Sequence, residues 1–96
     1  MVEIRVRLLG TLSEFSGGEV LHLRFDGDPR LEEVIDRLVS ELGPAFEEAL
    51  LDPVLRSPLP RALILVNGFE IGALQGLETR LKDGDEVVIL PVSHGG

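Results

Sequence analysis

The chain opens with Val2-Glu3-Ile4-Arg5-Val6-Arg7-Leu8, in which aliphatic residues alternate with charged ones. A period of two is typical of a β-strand that has one buried face and one face in solvent. A second alternating run covers 20–25, after the turn signal Gly17-Gly18. The two runs predict an antiparallel hairpin with a longer connection, and the rest of the predicted fold is built on this hairpin.

An amphipathic helix is predicted next, because apolar residues recur at helical spacing over 31–42 with mostly acidic residues between them. Asp28 and Pro29 predict its start, since Asp can cap free amides and proline fits the first helical position. A short second helix is predicted over 45–51. Three prolines then predict a surface excursion over 53–61 without regular structure.

The second half of the chain contains the strongest hairpin signal, Asn67-Gly68, which follows the apolar run 62–66. The segment 72–81 is predicted to be irregular, with three core anchors: Leu74, Leu77 and Leu81. A turn at Asp83-Gly84-Asp85 leads into a last apolar strand over 87–90. Pro91 is predicted to release the chain from the sheet, since proline has no N–H for a ladder.

The order of these elements predicts an α+β fold, namely a β-grasp roll. It has a mixed sheet of about four to five strands and one main helix packed on one face. The last strand is placed beside the first one in parallel, which requires a crossover connection. We predict one domain over residues 1–92, followed by a flexible Gly-Gly tail over 93–96.

Composition excludes several functional classes. Seventeen acidic and nine basic residues give a formal charge of −8, which repels a phosphate backbone and argues against direct nucleic-acid binding, while it suits a partner with a basic surface. The chain has no Cys, so sulfur chemistry on it would need the C-terminus. The N-terminus has neither a signal peptide nor a membrane-span pattern, and we expect a cytoplasmic protein. No spacing predicts a metal site, a cofactor loop or a nucleophile with its base.

The chain ends in Ser93-His94-Gly95-Gly96, and the terminal carboxylate is the candidate reactive group. Gly96 would supply the carboxyl carbon, and Gly95 would give the tail clearance in a narrow enzyme channel, because glycine has no Cβ. His94 and Ser93 are candidate tail contacts. His94 either orients the carboxylate in an activating enzyme or is a solvated tether residue. The bland alternative is a frayed terminus.

A second candidate site is an apolar surplus. The runs 62–66 and 87–90 are apolar on both predicted sheet faces, yet one helix can cover only one of them. The uncovered face is a candidate docking surface, and it would include Leu63, Leu65, Val88 and Leu90. Two alternatives stay open: the excursion around 50–59 folds over this face, or the protein pairs with itself there.

The chain resembles the ubiquitin-like sulfur carriers, a family that includes the small subunit of molybdopterin synthase (MoaD), the thiamin-pathway carrier ThiS and the ubiquitin-related modifier. The resemblance covers almost the whole chain. Its motifs are the opening strand, the helix 31–42, Leu65-Val66-Asn67-Gly68, the run 81–87 and the end from Leu90 to Gly96. Length and the segment 42–62 look more like MoaD than ThiS. The histidine before the two glycines, His94, resembles the tail of the ubiquitin-related modifier.

The resemblance implies a carrier that is not an enzyme on its own and binds no cofactor. An adenylating enzyme similar to MoeB, ThiF or the ubiquitin-activating enzymes would use ATP to join Gly96 to AMP. A sulfur donor would then form a Gly96 thiocarboxylate. In molybdenum cofactor biosynthesis the thiocarboxylate would give its sulfur to the pterin precursor in a partner enzyme, the large subunit of molybdopterin synthase (MoaE-like). The alternatives are a tRNA-thiolation carrier, a protein modifier joined to lysines, or an interaction module with an inert tail.

Overall fold

The computed structural model describes residues 1–92, and it contains the predicted first hairpin. Strand β1 (Val2–Leu8) pairs antiparallel with strand β2 (Leu21–Phe25). A 3-10 helix, Gly10–Ser16, occupies most of the connection and buries Leu12. The alternation in the sequence is confirmed, because the aliphatic residues of β1 are buried while Arg5 and Arg7 are exposed.

The described residues form one five-stranded mixed sheet in the order β2-β1-β5-β3-β4. Its other strands are β3 (Ala62–Val66), β4 (Phe69–Glu70) and β5 (Glu86–Pro91). Strand β5 lies parallel to β1 and antiparallel to β3. The predicted α+β class, the mixed sheet and the parallel contact between the first and last strands are therefore confirmed.

Helix α1 spans Leu31–Leu42, and helix α2 spans Pro44–Leu50. The predicted start of α1 at Asp28 and Pro29 is wrong by two residues. The Pro29 carbonyl accepts a hydrogen bond from the Leu81 N–H at 2.8 Å, and the Leu31 N–H donates to the Thr79 carbonyl at 2.8 Å. This segment is held extended by a distant part of the chain, so the helix begins only where that pairing ends.

The core lies between α1, α2 and the inner face of the sheet. Helix α1 buries Leu31, Val34, Ile35 and Leu38, and each fully buried side chain of this size contributes about 2 kcal/mol by removal from water. Of the predicted anchors in 72–81, Leu81 is fully buried and Leu77 is partly buried, but Leu74 is exposed. Ile71, which precedes this segment, is buried instead.

The prolines do interrupt regular structure over 53–61, as predicted. The side-chain contacts of this excursion run to α2: the Arg56 guanidinium lies 2.6 Å from the Glu47 carboxylate, and the Arg61 guanidinium donates to the Glu48 carbonyl at 2.7 Å. Asp52 accepts hydrogen bonds from the Leu55 and Val54 amides, and these bonds lower the pKa of its carboxyl group. The excursion is therefore an ordered turn that specific hydrogen bonds hold beside α2.

Candidate docking face and tail exit

The four predicted docking residues lie together on the outer face of the sheet. Leu63 is opposite Leu90, and Leu65 is opposite Val88, in the antiparallel β3–β5 ladder. Their neighbours in sequence on β3 and β5 point to the buried inner face. We call Leu63, Leu65, Val88 and Leu90 the apolar patch.

The apolar patch keeps partial access to solvent. Leu90 is 37% exposed, and the other three members are half-buried. A shallow groove of about 320 Å³ adjoins the patch, with Leu59, Leu63 and Val92 among the residues that line it. The structure thus brings the predicted residues into one surface, which the excursion approaches at Leu59.

The register of the patch is fixed by Asn67 in the β3–β4 turn. Its Nδ2 group donates to the Asp85 carboxylate at 3.0 Å, and its Oδ1 accepts from the Glu86 N–H at 3.0 Å. The Asn67 N–H donates to the Glu86 carbonyl at 2.9 Å. These three bonds tie the hairpin to the start of β5, so that the side chains of β3 and β5 meet in one arrangement.

The end of β5 is also held in place. The Leu9 N–H donates to the Ile89 carbonyl at 3.0 Å, and the Val92 N–H donates to the Arg61 carbonyl at 2.9 Å. Gly10 has φ +59, and a Cβ at this position would lie 3.0 Å from the Pro91 Cγ. The chain therefore leaves the sheet at a defined point, beside the apolar patch. Pro91 does not release the chain as predicted: β5 includes Pro91, which is opposite Ala62, and the sheet contact continues through the Val92 N–H.

Sequence reasoning missed two residues of this exit. Gly10 gives no sequence signal of this role, because its contact with Pro91 joins positions 81 residues apart. Arg61 acts through its backbone carbonyl, and a backbone role leaves no signal in the residue type. The predicted reactive and contact residues, Ser93, His94, Gly95 and Gly96, lie outside the described residues.

Residues 1–92 hold neither a candidate metal cluster nor a membrane-spanning helix. Within this range no group of three or more His, Asp or Glu side chains is arranged to hold a metal ion. None of the helices in the described part of the chain is long and apolar enough to cross a membrane.

A five-stranded mixed sheet with α1 across one face defines the class of ubiquitin-like β-grasp domains. The sequence model of the ThiS family matches residues 6–96. The chain therefore belongs to the ThiS family of ubiquitin-like sulfur carriers, small proteins that are not catalytic by themselves.

Several known proteins are similar over nearly the whole chain. Small archaeal modifier protein 3 of Haloferax volcanii is 30% identical over 95 residues, which are 99% of this chain and 100% of the relative. The solution structure of small archaeal modifier protein 1 from Methanosarcina acetivorans is 33% identical, with a TM-score of 0.82, and the match covers 100% of this chain and 98% of the other.

A third match comes from a complex. A chain in the crystal structure of the BexX/CysO complex of Amycolatopsis orientalis is 27% identical, with a TM-score of 0.71. The match covers 97% of this chain and 99% of the other. At least one protein similar to this chain thus has a structure described as a complex.

Proposed function

We propose that this protein carries sulfur as a thiocarboxylate on Gly96. The observation that carries the proposal is the held exit of the chain at Val92, next to the apolar patch and four residues before the terminal Gly96. Four extended residues span at most about 14 Å. An enzyme docked on the patch would therefore reach the carboxyl group only if its active site lies close to this exit.

The proposed chemistry needs an activating enzyme, because a free carboxylate is a poor electrophile. The Gly96 carboxylate would attack the α-phosphorus of ATP, which forms an acyl-adenylate and releases pyrophosphate. Hydrosulfide supplied by a separate donor would then attack the acyl carbon, and AMP would leave, which gives the thiocarboxylate without a redox step. The carrier supplies the reacting carbon and the docking surface, whereas the catalytic side chains belong to its partners.

We assign the apolar patch to the activating enzyme and to the sulfur-accepting partner in turn. Interfaces concentrate their binding energy in a few well-packed anchor residues near the centre of the contact. Leu63, Leu65, Val88 and Leu90 supply such anchors on a rigid sheet, since each lies in a paired strand. The tail residues His94 and Ser93 would contact the channel of the enzyme that holds Gly95 and Gly96.

The acceptor we propose is the pterin precursor of molybdenum cofactor, with this chain as the small subunit of molybdopterin synthase. Its support is the resemblance of length and of the segment 42–62 to that subunit. The second candidate is a protein modifier whose Gly96 forms isopeptide bonds with lysines. Similarity to two proteins described as small archaeal modifiers favours this second candidate. A tRNA-thiolation role would use the same activated tail.

Intact mass spectrometry tests the core of the proposal. The protein is incubated with ATP, a sulfur donor and the adenylating enzyme of its host, beside a variant without Gly96. We expect a gain of about 16 Da, oxygen replaced by sulfur, in the full-length chain alone. An unchanged mass with an enzyme that forms the acyl-adenylate would contradict the sulfur-carrier role.

The acceptor is tested in a second step. Thiocarboxylated protein is mixed with the large subunit of molybdopterin synthase and the pterin precursor, and molybdopterin is measured. Branched peptides that carry Gly-Gly on lysine, found in digests of host protein, would instead support the modifier. A chain that lacks Gly95 and Gly96 and still performs its cellular role would show an interaction module with an inert tail.

A further inference from the structure

The outer face of the sheet differs in charge from the rest of the molecule. Strand register places three acidic and three basic residues on this face: Glu3, Arg5, Arg7, Arg24, Glu70 and Glu86. The face is therefore formally neutral, although the chain carries −8. The whole negative excess lies elsewhere, so a partner of the outer face does not meet the average charge of the protein.

The charged side chains of the outer face differ in whether they have a bonding partner within the described residues. Glu3 lies 3.6 Å from the Arg24 guanidinium and 3.3 Å from the His22 imidazole. The Glu70 carboxylate accepts from the Gly72 N–H. Arg5 and Arg7, in contrast, are exposed and form no ion pair within residues 1–92.

Arg7 lies directly beside the apolar patch on the outer face of the sheet. In the parallel β1–β5 ladder Arg7 is the partner of Val88, and Val88 is in turn the partner of Leu65 on β3. One row across the sheet therefore runs from a guanidinium to two patch residues. Arg5 lies in the neighbouring row, opposite Glu86, and no ion pair joins their side chains.

We propose that the outer face binds a protein surface whose apolar centre is bordered by carboxylates on the β1 side, and that Arg7 is the main contact to them. This rests on the proposed function, and the partner is the enzyme that adenylates Gly96. A guanidinium presents planar paired donors that match a carboxylate. Charge complementarity at the border of an apolar contact raises the association rate and fixes the docking register.

The small number of available arginines argues against a nucleic acid at this face. A phosphate backbone is bound by several Lys and Arg contacts along its length, whereas this face has two arginines without an ion pair within residues 1–92. A second copy of the chain offers the same outer face, in which the carboxylates of Glu3 and Glu70 are already engaged and the third acidic residue, Glu86, lies opposite Arg5 of its own sheet. An acidic border on another protein therefore fits the two arginines better than either alternative.

The test compares Arg7→Glu with Arg80→Glu. Both variants change net charge equally, and Arg80 is an exposed residue outside the sheet whose guanidinium donates to the Asp28 carbonyl at 3.3 Å, so circular dichroism checks that its variant is folded. The KM for the carrier is measured in the adenylation reaction at low and high salt. For Arg7→Glu we expect KM to rise about tenfold at low salt with kcat unchanged, and the effect to shrink as salt screens the contact.

Arg80→Glu should stay near wild type, and Arg7→Gln should give an intermediate KM. Arg7→Gln also serves if the charge reversal unfolds the chain, which circular dichroism would reveal. Equal KM values for the Arg7 and Arg80 variants would overturn the inference while leaving the sulfur-carrier role intact. Loss of a dimer in Arg7→Glu with unchanged KM would overturn it as well. Failure of wild-type protein to be adenylated would instead count against the proposed function.

Discussion

Strands β3 and β5 carry aliphatic residues on both faces, and the two faces have different fates. On the inner face, Ile64 is opposite Ile89 and Val66 is opposite Val87; all four are at most 5% exposed. On the outer face the apolar patch uses the same kind of side chain in the same ladder. Its members remain half-buried or exposed.

The two faces differ in what packs against them and not in the type of their residues. Helices α1 and α2 pack over the inner face, and burial there supplies stability in proportion to the area removed from water. The outer face keeps apolar area that folding leaves in contact with water, and this area becomes available to a partner. We expect mutations on one face to unfold the protein and those on the other to separate it from its partners.

The largest effect is expected on the inner face. Ile89→Ala leaves a cavity at a fully buried position in the central strand β5, and we expect a loss of about 2–5 kcal/mol in the free energy of unfolding. Chemical denaturation measures it. The control Leu90→Ala, one residue away on the outer face, should lose about 1 kcal/mol or less. Equal losses would mean that the two faces do not differ in cover.

The outer face is tested by Leu90→Asp. This substitution places a charge in the apolar patch, and we expect binding to the activating enzyme to weaken by about 2 kcal/mol or more, as at a central interface residue. Calorimetry on the purified proteins measures the affinity. Leu74→Asp is the matched control, because Leu74 is 40% exposed and Leu90 is 37% exposed. Retained affinity in a folded Leu90→Asp protein would exclude the patch as the docking surface.

The place where the chain leaves the sheet, at Pro91 and Val92, is tested by Gly10→Ala, with Gly17→Ala as its control. Both glycines have φ near +60, but nothing lies within 4 Å of a Cβ at Gly17, whereas one at Gly10 meets Pro91. We expect both variants to lose about 1 kcal/mol of stability from left-handed strain. Gly10→Ala alone should lose further stability, because its Cβ meets Pro91. It alone should also slow the adenylation of Gly96. Identical behaviour of the two variants would show that the Pro91 contact is unimportant.

The smallest effect is expected from a substitution of Asp52, next to the excursion. This substitution should change neither face of the sheet. The Leu55 and Val54 amides hold the Asp52 pKa below its ordinary value. Its carboxylate therefore adds stability above the unfolded pKa, and this stability is lost as pH falls through the lower folded pKa. Asp52→Asn should lower the melting temperature at pH 7 and converge with wild type in strong acid. A constant difference at every pH would contradict this account.

Much of the fold follows from local patterns. Period-two alternation located β1 and β2, helical spacing located α1, and Asn67-Gly68 located the β3–β4 turn. The predicted start of α1 is wrong because the pairing of Pro29 and Leu31 with residues 79–81 overrides the local capping signal of Asp28. The prediction of Leu74 as a core residue is wrong because a residue type does not reveal on which side of an irregular segment it lies.

The sequence by itself determined the β-grasp fold, the apolar surplus of β3 and β5, and the Gly-Gly end, because each depends on residue types at local spacing. The tertiary structure decided which face of the sheet is covered, and it brought Gly10 and Arg61 to the tail exit. It also separated a neutral outer face from a strongly acidic remainder. These features depend on contacts between residues far apart in the chain, and such contacts form only when the sheet assembles.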